Sequence, residues 1–358
     1  MTESELSRPA TRPPPGRRAI FIRAAKWLIA VAVVVGLYLA AQSALLQWKE
    51  ETGKVDQRIL EIDQRLAQIE SGREFERLQQ EREHLQATVP RLVNLHWSRI
   101  ALAGLLYALG LLPPSMLLHR ALVSLGQHPR LGTTVAAQTL GHVGKYVPGK
   151  AMVIVLRAGA LSRDGVRPLA ATVSVFLETF LMMAVGAAVA GVVVLWLPVP
   201  KWISFGADCV AVLASLPTFP PIMKRVAARV SKVSLTEVKS NIGFGLFAAG
   251  WGWSLLSWAL IGASFTCLIT AIPSPAPPSS LLQLYAIATA AISLAIVIGF
   301  ASLLPGGAGV RELVLTTVLG VSIGAVHGLL AAIAARILFM VVEVIVAGIS
   351  WAFLKYTR

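Results

Sequence analysis

The stretch that decides the fold is the last long apolar run, 327–353, HGLLAAIAARILFMVVEVIVAGISWAF. Its twenty-seven residues carry only two formal charges, Arg336 and Glu343. About twenty apolar residues let a helix cross the hydrocarbon of a bilayer, and at about 1.5 Å per residue this run rises roughly 40 Å. A charge at the bilayer centre costs at least about 2.5–3.5 kcal/mol, so Arg336 and Glu343 are expected to turn toward protein and to pair. Seven residues apart, they share one helix face about 10 Å from each other.

The same pattern recurs at 27–46, 97–118, 168–197, 202–222, 243–271 and 281–304. Composition agrees: 56% of the 358 residues are hydrophobic and 14% are charged, with a mean hydropathy of +0.70. A soluble chain of this length needs more charge to cover its surface. Two moderately apolar segments, 133–160 and 310–325, are interrupted by glycine, proline or charge and read as re-entrant or short broken helices. Such backbone is tolerated at membrane depth only inside protein or beside a wet cavity. The expected fold is all-α, a polytopic transmembrane helix bundle of about eight spans if 310–325 crosses, plus an extramembrane coiled-coil segment.

The chain divides into a basic tail (1–26), an N-terminal anchor (27–47), a charged segment (48–94) and a transmembrane domain (95–358). A signal peptide competes for 27–46, but the long polar segment before it and the length of the apolar run favour an uncleaved anchor. Within 48–94, Val55, Ile59, Ile62, Leu66 and Ile69 follow a 4-3-4-3 spacing, the seam of a coiled coil. The register breaks at Ser71-Gly72 and resumes at Phe75, Leu78, Leu85 and Val89. A two-helix hairpin, a long helix pairing with a second protomer, and a solvated spacer all remain open. A homo- or hetero-oligomer through 54–89 is therefore a candidate assembly.

The net charge of +14 suits a protein whose basic loops lie beside anionic lipid on the cytoplasmic side. Arg8, Arg12, Arg17, Arg18, Arg23 and Lys26 place the N-terminus inside. Lys224, Arg225, Arg229, Lys232 and Lys239 do the same for their loop, as do Arg120, Arg130, Lys145, Lys150, Arg163 and Arg167 for 119–167. The uncharged loop 273–280 fits the outside. The localisation expected is a cell (inner or plasma) membrane, multi-pass. Nucleic acid is not an expected partner, because the cations cluster at the ends of apolar runs instead of along one soluble face. Cys209 and Cys267 lie in apolar stretches and the six histidines are scattered, so neither a metal site nor a cofactor is expected.

Two Gly/Pro elements carry the remaining chemistry. The first is Gly141-His142-Val143-Gly144-Lys145-Tyr146-Val147-Pro148-Gly149-Lys150, followed by Arg157; the second is Leu304-Pro305-Gly306-Gly307-Ala308-Gly309-Val310-Arg311-Glu312. Each joins a Gly/Pro turn to a helix start with cations nearby. Free N–H groups at a helix start favour an anion, and Lys or Arg reinforces this. A lipid phosphate near the cytoplasmic headgroup layer suits both; helix breaks with ordinary positive-inside anchors are the plainer account. Neither is a nucleotide-binding loop, since GxxxxGK[ST] is absent. Glu178, about ten residues into its span, is expected to pair with Arg336, either along a polar path or as a structural ion pair. Asp208, nearer a helix end, reads as a wet polar residue.

With these residues in hand, the chain resembles the lysylphosphatidylglycerol synthase transmembrane region, a broad flippase-like family. Tyr146 to Lys150 with Arg157, the Glu178 span, Pro305 to Glu312, and the terminal span with Arg336 and Glu343 carry the likeness over roughly 95–353. The late P-G-G-x-G-V-x-E pattern is the more specific; the family's first motif often has Asn or Arg where this chain has His142 or Lys150. The resemblance implies movement of an amphiphile between leaflets. It implies that Lys145, Tyr146, Pro148, Gly149, Lys150, Arg157, Pro305, Gly306, Gly307, Gly309, Arg311 and Glu312 handle an anionic headgroup. Glu178, Arg336 and Glu343 would then line an intramembrane polar path. Some members add a soluble aminoacyltransferase or glycosyltransferase domain; none is expected in this chain, so no enzyme activity is expected either. The alternative is a non-catalytic membrane partner that recruits an envelope lipid- or glycan-modifying enzyme through its coiled-coil segment.

Overall fold

A computed structural model of the chain describes residues 52–88, 94–147, 151–196, 211–213, 215–222, 243–273, 280–302 and 309–357, with isolated positions 31, 35, 38, 42, 46, 49, 50, 205, 208, 209, 225 and 307. Every regular element among them is helical. We label them α1 (52–66), α2 (Arg73–Thr88), α3 (Trp97–Gly110), α4 (Pro113–Ser124), α5 (Leu131–Gly141), α6 (Ala151–Leu161), α7 (Pro168–Val194), α8 (Phe244–Ala271), α9 (Leu281–Ala301), α10 (Val310–Ile323) and α11 (Ala325–Tyr356). A 3-10 turn, His142–Tyr146, continues α5.

Among the described residues, five helical units are long and apolar enough to cross a membrane: Trp97–Ser124, Pro168–Val194, Phe244–Ala271, Leu281–Ala301 and His327–Tyr356. The first is α3 and α4 in tandem, offset at Leu111-Leu112 because Pro113 and Pro114 open the second helix. Candidate span 27–46 falls mostly outside the described residues, and 202–222 is described at 205, 208, 209, 211–213 and 215–222. At 14 residues, α10 rises about 21 Å, short of the roughly 30 Å of hydrocarbon.

Membrane helices gain little by burying apolar surface against one another, so close approach and interhelical hydrogen bonds hold them together. The bundle interior follows this rule. Ser264 and Ser257 of α8 donate to the backbone oxygens of Ala103 and Gly110, each at 2.7 Å, fixing α8 antiparallel to α3. The Trp258 indole N–H donates to Met182 O at 3.0 Å, and its ring lies against Gly186, where a Cβ would meet it at 2.5 Å. Around these contacts Trp258, Phe265, Leu284, Leu319 and Phe339 form the main apolar core. Large apolar side chains such as Leu105, Phe176, Val192, Leu255 and Ile345 stay exposed along the outside, as a lipid-facing surface requires.

Two elements are shorter than the bundle is thick, and α11 orders both. The first descends beside its C-terminal half. Gly132 packs on Phe353, Thr139 Oγ1 meets Ser350 Oγ at 2.6 Å, and Lys145 reaches Glu343. From there α6 returns to where α5 began, since Arg130 N donates to Asp164 Oδ2 at 2.7 Å. This is a re-entrant hairpin in shape: its two ends meet. The second element, α10, runs antiparallel to the N-terminal half of α11, with Glu312 opposite Arg336 and Leu319 on Gly328. The two elements thus approach the middle of α11 from opposite ends.

Helices α1 and α2 pair across ion bonds from Arg58 Nη2 to Glu81 Oε1 at 3.1 Å and from Arg82 Nε to Asp63 Oδ1 at 2.5 Å. Ile59, Ile62 and Leu78 are buried between them, and Gly72 turns the chain with φ +129°. Arg58 is solvent-exposed, and its hydrogen bonds to Glu61 and Glu81 raise its pKa above the ordinary arginine value.

Candidate functional site

Where the broken elements meet, ionisable groups collect. Glu343 is 0% exposed. Its Oε1 accepts from the Tyr107 hydroxyl of α3 and from Lys145 Nζ, and its Oε2 accepts from the Tyr146 hydroxyl at 3.0 Å. Four lone-pair sites allow one carboxylate to take three donors, and hydrogen bonds from charged groups are the stronger kind. Tyr107 is held in turn by Phe339, stacked at 3.7 Å between ring centroids.

Beside this group, Arg157 Nη1 of α6 donates to Glu178 Oε2 of α7 at 2.7 Å, with both residues 4% exposed. Gln138 Nε2 of α5 donates to the other carboxylate oxygen at 3.0 Å. The arginine lies across Gly141, where a Cβ would come within 2.4 Å of its Nε. Only glycine leaves this room.

On the other side of α11, Arg336 Nη1 donates to Glu312 Oε1 at 2.5 Å. Arg311 occupies a groove between α9 and the second Gly/Pro element. A Cβ on Gly299 would lie 2.8 Å from its Cγ, and one on Gly307 would lie 2.9 Å from its Nε. Gly307 and Gly309 have φ of +69° and +79°, a region that side-chain-bearing residues rarely adopt. Arg311 lies within electrostatic range of Lys145, Tyr107 and Tyr146, so the clusters on either side of α11 form one polar layer.

The charges in that layer do not balance. Among the described residues it holds four cations, Lys145, Arg157, Arg311 and Arg336, and three carboxylates, Glu178, Glu312 and Glu343, for a net of +1. Each carboxylate takes one cation, which leaves Arg311. Its Nε is buried and has no hydrogen-bond partner. Four further buried atoms in the layer also lack partners: Gln138 Oε1, His142 Nε2, Arg157 Nε and Glu312 Oε2. Buried polar atoms are ordinarily satisfied, so this density of exceptions within one layer calls for a ligand or solvent to complete it.

The expected Glu178–Arg336 pair does not form. Glu178 faces the α5–α6 hairpin and takes Arg157, while Arg336 faces α10 and takes Glu312. Helical spacing places each residue on a face but does not tell which helix covers that face. Nor do Arg336 and Glu343 act together, although they share a helix, because the two broken elements divide them. The described parts of the two Gly/Pro elements, 141–147 and Gly307 with Gly309, lie beside the middle of α11, where Lys145 meets Glu343 and Glu312 meets Arg336. Of the predicted site residues, Lys145, Tyr146, Arg157, Glu178, Gly307, Gly309, Arg311, Glu312, Arg336 and Glu343 are brought together. Pro148, Gly149, Lys150, Pro305 and Gly306 lie outside the described residues.

Tyr107, Gln138 and Gly299 belong to the layer and escaped the sequence reading. Tyr107 and Gln138 are single polar residues in apolar helices, and Gly299 resembles any small residue of a span. Among the described residues no three His, Cys, Asp or Glu side chains gather as metal ligands. No family model matches the chain, and no curated protein matches it.

Proposed function

We propose that this protein is a flippase-like membrane protein that moves an anionic lipid, or a lipid-linked anionic headgroup, between leaflets. The observation that supports it best is Arg311: a cation with a buried, unpartnered Nε, in a layer carrying one positive charge more than it neutralises. Such a layer lets a phosphate shed water partway across apolar surroundings, while acyl chains stay in lipid beside the exposed apolar helix faces. In this reading the chain makes about eight crossings of a cell membrane with its N-terminus in the cytoplasm. Residues 48–94 stand outside as a coiled-coil hairpin. The bound partners are lipids, no cofactor takes part, and the chain performs no bond-making chemistry of its own.

The test is leaflet exchange of a headgroup-labelled anionic phospholipid, or of a prenyl-phosphate lipid, in liposomes holding the purified chain. A charged hydrogen bond contributes about 1.5–3 kcal/mol, so Arg311→Ala should slow exchange about ten- to a hundredfold. Arg311→Lys should retain part of the rate. Wild-type exchange by a folded Arg311→Ala variant would remove the basis of this reading.

A further inference from the structure

At the end of the bundle where α11 finishes, away from the polar layer, lies a separate pocket of about 210 Å³. Its polar wall is formed by Arg130 and Thr133 at the start of α5 and by Arg163 and Asp164 at the end of the α5–α6 hairpin. Its apolar wall is Phe353, with Thr357 at the rim. We propose that this pocket binds the phosphodiester of an anionic phospholipid headgroup.

Four observations carry the assignment. Arg130 and Arg163 form no ion pair with any carboxylate among the described residues, and Asp164 spends its Oδ2 on the backbone N–H of Arg130 at 2.7 Å. Two cations and one carboxylate leave the pocket at +1, the complement of one phosphodiester. Thr133 is 7% exposed. Its hydroxyl has no hydrogen-bond partner among the described residues, and the residue lines the pocket.

The first turn of α5, whose N-cap residue Arg130 offers no side-chain cap, faces the same space, and its free N–H groups suit an anion. Finally, Phe353 is 41% exposed and continues the exposed apolar stripe of Ile345 and Ile349, at four-residue spacing along α11. A ligand with an acyl chain gains from that stripe, whereas a free ion does not. Pockets that enclose whole small molecules run to about 300–1,000 Å³. This one has room for a headgroup whose tails remain outside.

The site does not depend on lipid crossing the membrane, and its test reads binding alone. Full-length protein in detergent is titrated calorimetrically with dihexanoyl phosphatidylglycerol, dihexanoyl phosphatidylcholine and inorganic phosphate. The anionic lipid should bind at least tenfold more tightly than the other two. Arg130→Gln/Arg163→Gln should weaken it at least tenfold and Thr133→Val about threefold. Asp164→Asn, which keeps an acceptor for Arg130 N–H while raising the pocket to +2, should tighten it at least threefold.

The titration reads binding and the leaflet-exchange assay reads translocation, which separates failure here from failure of the translocation reading. Undiminished affinity in the double arginine variant would overturn the site. Inorganic phosphate binding as tightly as the lipid would overturn the lipid as its occupant. If the double variant does not fold, an unchanged affinity in Asp164→Asn overturns the proposal by itself.

Discussion

Replacing Glu343 by Gln keeps the shape of the side chain and removes the one carboxylate that holds Lys145 among the described residues. The glutamine oxygen still accepts from Tyr107 or Tyr146, so the loss falls on the ammonium, left inside the bundle without a counter-charge. Breaking a buried pair from one side costs about 3–5 kcal/mol. The Lys145 side chain keeps 20% of its exposure, and partial solvation brings the expected cost to about 2–4 kcal/mol. Lys145→Met should cost a similar amount, because Glu343 then keeps its charge with only the two tyrosines as donors. Together the substitutions leave neither charge stranded, so the double variant should lie well above the sum of the singles, with a coupling of at least about 2 kcal/mol. The assay is equilibrium unfolding of the purified full chain in mixed micelles, wild type and three variants side by side. Single losses that add within about 0.5 kcal/mol, or a Glu343→Gln cost below about 1 kcal/mol, would refute the claim that this pair joins the re-entrant hairpin to α11.

Two glycines of one hairpin should respond with opposite signs. Gly141→Ala pushes a Cβ to 2.4 Å from Arg157 Nε, dislodging the arginine from Glu178, and should destabilise by about 1–3 kcal/mol in the same assay. Gly159→Ala on α6 meets nothing within 4 Å and should stabilise by about 0.5–1 kcal/mol through helix propensity. Equal responses would show that the Arg157 seat does not depend on the missing side chain. Replacing 54–89 with a short Gly/Ser linker should leave leaflet exchange within twofold of wild type, with loss of a co-purifying partner assigning the hairpin to recruitment; abolished exchange would place it in the transport machinery itself.

The five long apolar helices were legible because hydropathy is a local property. A run such as 244–271 needs no knowledge of its neighbours to be recognised as apolar throughout. The ion pairs were not legible, for the opposite reason. Arg157 and Glu178 are 21 residues apart across a turn, and Glu312 and Arg336 are 24 apart. Sequence distance favours neither pair over Glu178 with Arg336; only the packing of α6 on α7 and of α10 on α11 decides. The extent of the short helices was hidden in the same way. A helix such as α5 or α10 that stops partway along its partner leaves no separate signature in the sequence. Gly141 and Gly299 show the limit most sharply. Their role is to be absent where an arginine passes, and only the position of Arg157 and Arg311 reveals it.

The meeting of Arg130 with Asp164 also fixes a parity. A segment that enters and leaves by one door adds no crossing, so Ser124 and Pro168 stand on one side of the bundle. α7 must therefore run opposite to the α3–α4 tandem, whatever the count elsewhere in the chain. Cysteines placed singly at 128 and 165 should be labelled from one side of a sealed vesicle and protected from the other. The hairpin thus adds interior surface to the bundle without changing the direction of the chain, and α4 and α7 follow one another as though 125–167 were a loop.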